Sequence, residues 1–346
     1  MAGGCPITII AGSRPRPLTC VKRRGTRRES MREGLRQGKI AVRVRTGALV
    51  GERCVALFEG FARRRVEVGG IGIAAVTAGS GPPLLLLHGY PQTSAIWHRV
   101  APRLAKRFTV VATDLRGYGD SSKPPGLADH ANYSKREMAA DQVAVMRSLG
   151  HEKFFLAGHD RGGRVAHRLA ADHPESVQKL VVLDISPTLA MYEQTDMDFA
   201  RAYWHWFFLI QPVPLPEDMI NADRERYLRA KMQSGSAGLK PFAPEAWAEY
   251  VRCFDAAAVH ASCEDYRAAA AIDLEHDRAD IAAGRKVRCP LRVLWGAEGV
   301  IERCFRPLED WEKVAEDVSG VALPGGHYLP EETPQEVGDE FERFFQ

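Results

Sequence analysis

The run Pro83-Leu84-Leu85-Leu86-Leu87 has no polar face at all. A strand open to water on one side alternates apolar and polar side chains, so a continuous aliphatic run must be covered on both faces. Covering both faces of a sheet takes a helix layer on each side, which constrains the chain to a layered α/β arrangement. The flanking sequence keeps that rhythm from Arg65 onward. Strands are expected at 66–68, 73–77, 83–87, 108–113, 154–157, 180–185, 291–294 and 321–323, with helices at 134–149, 165–171 and 337–345. The expectation is a mostly parallel, eight-stranded sheet flanked by helices.

Between Pro187 and about Arg278 the alternation stops. That stretch is helical in flavour, rich in aromatics and Ala, and broken by Gln211-Pro-Val-Pro-Leu-Pro216 and Ser234-Gly-Ser-Ala-Gly238. We expect an inserted helical cap at 187–278, lying over the carboxyl edge of a core built from 65–186 and 279–346. Open α/β sheets bind ligands at that edge, and a cap there excludes water.

Charge divides the chain unevenly. Residues 1–65 hold 16 Lys/Arg against 4 Asp/Glu, which leaves 31 against 40 for the remainder. A basic leader suits a transit peptide or a nucleic-acid arm. Residues 1–64 nonetheless lack helical periodicity, stacking aromatics and a secretory apolar core. The plainer expectation is a disordered leader without function, or upstream sequence from a mistaken start, with Met31 in frame. The seven cysteines (Cys5, Cys20, Cys54, Cys253, Cys263, Cys289 and Cys304) form no C-x-x-C pair. Neither a disulfide framework nor a zinc site is expected, and a cytoplasmic location fits. No run nears the roughly 20 apolar residues of a membrane span.

Gly158-His159-Asp160-Arg161-Gly162 follows one expected strand and precedes a helix. Its spacing is that of a nucleophile elbow, a sharp turn that lifts the central side chain above the sheet. The competing reading is an ordinary turn with a helix-capping Asp. Two further segments disfavour that. His88-Gly89-Tyr90-Pro91 ends the aliphatic strand, where backbone N–H groups of Tyr90 and Arg161 would face developing negative charge. Gly326-His327 follows the last expected strand, the slot for a base. Together these motifs resemble the α/β-hydrolase fold.

An Asp nucleophile narrows the chemistry. Attack on an acyl carbon would give an anhydride, whereas attack on saturated carbon gives an ester that water can hydrolyse. His327 would activate that water as general base. The acid that orients His327 is Asp184, at the end of Val-Val-Leu-Asp184-Ile-Ser-Pro, or its competitor Glu298 in Gly296-Ala-Glu-Gly299, and Asp184 is preferred. Substrates would be alkyl halides, haloacids or epoxides.

From about Val66 to Phe345 the sequence resembles the fluoroacetate (haloacetate) dehalogenases. The resemblance rests on Gly-His-Asp160-Arg-Gly-Gly-Arg164, Leu-Asp184-Ile, Trp-His205-Trp206-Phe-Phe, Cys-Glu-Asp-Tyr266-Arg and Gly-His327-Tyr-Leu-Pro-Glu-Glu. It implies hydrolytic removal of halide from a short 2-haloacid. Arg161 and Arg164 are three apart on one helix and can form a two-guanidinium clamp for the substrate carboxylate. His205, Trp206 and Tyr266 match the family's halide pocket and offer N–H and O–H donors. Because neighbours on a regular helix diverge by about 100°, His205 and Trp206 need a helix end or kink to face the same site. Where the family often places a cap Trp, this chain has Gly235, which would widen the pocket or loosen a gate. A homodimer is also implied. No cofactor, metal, nucleic acid or membrane partner is expected; the reaction needs only haloacid and water. Gly117-Tyr-Gly119 lacks the third glycine of a dinucleotide loop.

Two alternatives stand beside this reading. An epoxide hydrolase shares the Asp nucleophile and would use two cap tyrosines, Tyr266 with Tyr192, Tyr203 or Tyr250; it has no use for an Arg clamp. A non-catalytic binding protein on the same fold is disfavoured by the intact Asp160, Asp184 and His327.

Overall fold

The structure, a computed structural model, describes residues 42–45, 57–235 and 237–346. Its strands are β1 (Val42–Arg45), β2 (Ala62–Val68), β3 (Ile71–Ala78), β4 (Pro83–Leu87), β5 (Thr109–Thr113), β6 (Phe154–His159), β7 (Val177–Leu183), β8 (Leu291–Gly296) and β9 (Val318–Leu323). They form one sheet in the order β1-β2-β3-β5-β4-β6-β7-β8-β9. The β1–β2, β2–β3 and β3–β5 pairs are antiparallel, and the rest are parallel.

The mostly parallel sheet agrees with the sequence reading and carries a ninth strand. That strand is the Val-Arg-Val-Arg run at 42–45, a two-residue alternation hidden by counting charge across the leader. β2 also starts before the expected boundary at 65, at Ala62. The rest of the expected leader lies outside the described residues.

β4 runs between β5 and β6, and Leu84, Leu85, Leu86 and Leu87 are fully buried, as a strand covered on both faces requires. The helix Lys135–Ser148 connects β5 to β6, and Arg161–Asp172 connects β6 to β7. From β4 the chain turns one way to β5 and then crosses back to β6. The loops after β4 and β6 therefore flank the point where strand order reverses, which is where open α/β sheets hold ligands.

Among the described residues eight helices lie between β7 and β8, the last being Ile272–Ala282, beyond the expected end at 278. No helix among the described residues is long and apolar enough to cross a membrane. One tie between insertion and core is the Tyr250 hydroxyl, which donates to the Glu331 carboxylate. Glu331 is fully buried. Burial pushes its pKa up from an ordinary 4.5 to about 8, although Tyr250 and Arg99 act to lower it. A carboxyl whose pKa is raised by folding contributes stability below its unfolded pKa and loses it as pH rises through the folded value. Between about pH 4.5 and 8 this group alone should erode about 3–5 kcal/mol of stability. Glu331→Gln should flatten that decline, so that chemical unfolding at pH 5 and pH 8.5 gives closer midpoints than in the parent; equal slopes in both proteins would refute it.

Candidate active site

Two glycines explain how the elbow forms. A Cβ at Gly158 would run into the backbone of Gly162 and Gly163, and one at Gly162 into the backbone of Leu87 and His88. Only glycine lets β6, the following helix and β4 approach so closely. Between them Asp160 is held at φ 44°, ψ −114°, a conformation costing a non-glycine residue about 1–3 kcal/mol. The strain places its carboxylate at the carboxyl edge of the sheet.

Asp160 is buried, and its Oδ2 accepts the Tyr90 N–H at 3.0 Å. Of the two expected backbone donors, Tyr90 reaches the carboxylate; the Arg161 N–H makes no hydrogen bond to it in this structure. Burial acts to raise the Asp160 pKa, but His327, Arg164, His159 and Arg161 together hold it below the ordinary carboxylate value. The group is ionised at neutral pH.

His327, in the loop after β9, lies beside it with Nε2 4.0 Å from Asp160 Oδ2. Its Nδ1 is 2.6 Å from Asp184 Oδ2. Asp184 Oδ1 accepts the Gly296 N–H at 3.0 Å, which fixes the carboxylate from behind. Asp184 itself has φ 51°, a second backbone held out of the common regions at this site. Glu298, the competitor, makes no ion pair with His327 and borders a cavity further out. The buried His159 ring donates from Nε2 to the His327 carbonyl at 2.7 Å, steadying the loop. Burial and the neighbouring His327 push the His159 pKa down to about 3, so the ring stays neutral. The Tyr203 hydroxyl lies 3.2 Å from His327 Nδ1, a contact the sequence did not suggest.

Arg161 and Arg164 sit on the first turn of Arg161–Asp172, and both are buried. Arg161 is gripped by Asp265, with Nη2 to Oδ1 at 2.6 Å and Nε to Oδ2 at 3.0 Å. Lys135 also pairs with Asp265, and the Tyr118 hydroxyl donates to it at 2.6 Å. Burial would raise the Asp265 pKa, yet Arg161 and Lys135 hold it far below the usual range. Arg164 has only neutral partners: the Ser186 carbonyl at 3.2 Å, Thr188 Oγ1 at 3.0 Å and Met191 Sδ at 3.2 Å.

The helical insertion supplies the opposite wall. A break at Tyr203 separates Met197–Ala202 from Trp204–Leu209, so His205 and Trp206 stand on a first helical turn and are both buried. This is the helix end their placement required. The Trp206 ring lies under the Arg164 guanidinium at 4.6 Å, and the Tyr266 ring under that of Arg161 at 4.2 Å. His205 approaches Tyr266 at 5.8 Å between ring centres. Arg161 Nη1, Arg164 Nε, His205 Nδ1 and Tyr266 Oη are all buried without a hydrogen-bond partner. Orphaned polar atoms cost free energy; of these four side chains Arg161, Arg164 and Tyr266 act electrostatically on Asp160, and His205 packs against Tyr266.

Asp265 and Lys135 are functional neighbours that sequence reasoning missed, although Asp265 lies in the same Cys-Glu-Asp-Tyr266-Arg run as Tyr266.

This strand order and elbow define an α/β hydrolase, and the chain belongs to that family: residues 82–258 match the alpha/beta hydrolase fold model. Within it the chain resembles fluoroacetate dehalogenase from Burkholderia sp, at 50% identity over 283 residues, covering 81% of this chain and 92% of that protein. It is also 37% identical to the soluble epoxide hydrolase of Corynebacterium sp. (strain C12), covering 80% of this chain and 95% of that one. The crystal structure of ALR0039 from Nostoc sp PCC 7120 superposes with a TM-score of 0.82 at 56% identity, covering 83% of this chain and 98% of that one.

Breaking a buried ion pair by removing one partner typically costs about 3–5 kcal/mol. Asp265→Asn should therefore lower unfolding free energy by about that amount in urea titrations. A loss under about 1 kcal/mol would mean that Asp265 does not hold Arg161 and Lys135 as described.

Proposed function

We propose that this chain hydrolyses short 2-haloacids to 2-hydroxyacids and halide. The observation that carries the reading is the set of four buried, orphaned polar atoms on Arg161, Arg164, His205 and Tyr266, three of which belong to side chains coupled to the ionised Asp160. Two belong to guanidiniums suited to a carboxylate, and two to a His and a Tyr suited to a departing halide. Arg161 and Arg164 grip the acid end and hold the adjacent carbon against Asp160.

Because Oδ2 is occupied by the Tyr90 N–H, Oδ1 is the attacking oxygen. It forms a C–O bond as the C–X bond breaks, and the halide leaves toward His205, Trp206 and Tyr266. The product of this step is an ester of Asp160. With Nδ1–H donated to Asp184, His327 has a free lone pair on Nε2 and takes a proton from water, which attacks the ester carbonyl. Negative charge then gathers on Oδ2, where Tyr90 already donates. Collapse expels the hydroxyacid, which takes the proton back from His327.

A second reading is epoxide hydrolysis, and one observation favours it. Tyr192 and Tyr266 both carry buried, unpartnered hydroxyls near Trp206. Two such hydroxyls could protonate an epoxide oxygen, but a neutral epoxide leaves the guanidiniums unused. Halide release from bromoacetate, set against diol formation from styrene oxide, separates the two readings.

His327→Ala incubated with bromoacetate should accumulate one ester per chain on Asp160, visible by peptide mass spectrometry; an unmodified Asp160 would sink the covalent route. Gly235 sets a second expectation, because its Cβ direction points at His327 and Tyr328, with contacts near 3.1–3.3 Å. Gly235→Trp should cut kcat/KM for 2-bromobutyrate at least tenfold more than for bromoacetate. Equal effects on both acids would show that position 235 does not govern acid size.

A further inference from the structure

Lys231 is the anomaly of the helical insertion. It lies near the end of the helix Arg224–Gln233 and is only 3% exposed. Among the described residues its Nζ has one hydrogen-bond partner, Tyr328 Oη at a long 3.4 Å, and no carboxylate within ion-pair distance. The other buried lysine, Lys135, has two: Asp265, and Asp273 at 3.6 Å. A buried ammonium without a counter-ion is costly, and its hydrogen-bonding capacity is mostly unused. Burial pushes its pKa down to about 8, with Asp160 offsetting part of that shift.

Its position gives the cost a use. Lys231 borders a cavity of about 410 Å³ whose outer rim includes the exposed Trp204, Ala237 and Glu298, and whose inner wall includes His327. This cavity leads from the surface to the catalytic histidine. Gly235 keeps it open, and the Gly235 carbonyl accepts the His327 N–H at 2.8 Å, tying the segment after the lysine's helix to the active-site loop. The charge of Lys231 also reaches inward, since it is among the groups that hold down the His205 pKa after burial.

We propose that Lys231 forms a second anion subsite in this vestibule, receiving the carboxylate of an incoming haloacid before Arg161 and Arg164 take it. The inference rests on the haloacid reading for the identity of the anion, but not for the existence of the subsite. The uncompensated ammonium lies along the path of a negatively charged substrate, where steering raises the rate of productive capture. Arg161 is already neutralised by Asp265, whereas among the described residues the buried Lys231 and Arg164 each lack an acidic partner.

The test uses Lys231→Met and Lys231→Arg in the full chain. Replacing a buried unpaired ammonium by Met leaves the fold at least as stable, so thermal unfolding of Lys231→Met should match or exceed the parent. With bromoacetate, Lys231→Met should raise KM at least tenfold with kcat changed less than threefold. It should also lose most of the parent's salt dependence of kcat/KM, and Lys231→Arg should restore both. Acetate binding by calorimetry, which needs no turnover, should weaken at least tenfold in Lys231→Met. It should weaken further when Arg164→Met is added, because two separate subsites contribute independently. Unchanged KM and acetate affinity in Lys231→Met would overturn the subsite. If the parent released no halide yet acetate binding still depended on Lys231, the haloacid reading would fail while the subsite stood.

Discussion

The site depends on the close approach of β4, β6 and the helix Arg161–Asp172 at Gly158 and Gly162. Nothing larger than hydrogen fits there, and the turn that results holds Asp160 at positive φ. A carboxylate on a relaxed turn could swing into water and lose its nucleophilicity to hydration. Held in this turn it cannot, and its Oδ2 is fixed against the Tyr90 N–H. The strain of about 1–3 kcal/mol is small beside the packing of the sheet on either side, and that packing maintains it.

Charge placement follows from that fixed point. A buried carboxylate would ordinarily capture a proton, so the fold sets the guanidiniums of Arg161 and Arg164 and the imidazoles of His159 and His327 near Asp160. In the proposed reaction the same guanidiniums also receive an anionic substrate, and two anions close together need more positive charge than either alone. Asp265, from the helical insertion, resolves half of this by fixing Arg161 in a bidentate pair while one of its nitrogens stays free. Arg164 keeps its full charge because its partners are a carbonyl, a hydroxyl and a thioether. The insertion is therefore an electrostatic component of the site as well as its roof.

Much of this was legible in the chain before folding. The aliphatic run at 83–87 dictated a strand covered on both faces, and β4 lies inside the sheet. The spacing around Asp160 located the elbow, and the structure sets Asp160, Asp184 and His327 after β6, β7 and β9. What escaped was pairing over distance. Asp265 sits next to Tyr266, yet its partner Arg161 is 104 positions away, and no local pattern links them. Nothing local singles out Lys231 among the charges of Arg-Glu-Arg-Tyr-Leu-Arg-Ala-Lys, because burial on the inner face of a helix is set by what packs against it. β1 was missed for a related reason, its two-residue alternation being short and its arginines reading as leader charge. Sequence periodicity reports faces, whereas counter-ions are assigned by the tertiary fold.

The central claim is that an oxygen of Asp160, and not of water, first joins the substrate carbon. A single turnover with enzyme in excess over bromoacetate, run in water enriched in oxygen-18, tests it most directly. The mechanism requires glycolate whose new hydroxyl carries no label and an Asp160 peptide that gains one heavy oxygen. Labelled glycolate beside an unlabelled Asp160 would mean that water attacks carbon directly, and the account of the site would have to be abandoned.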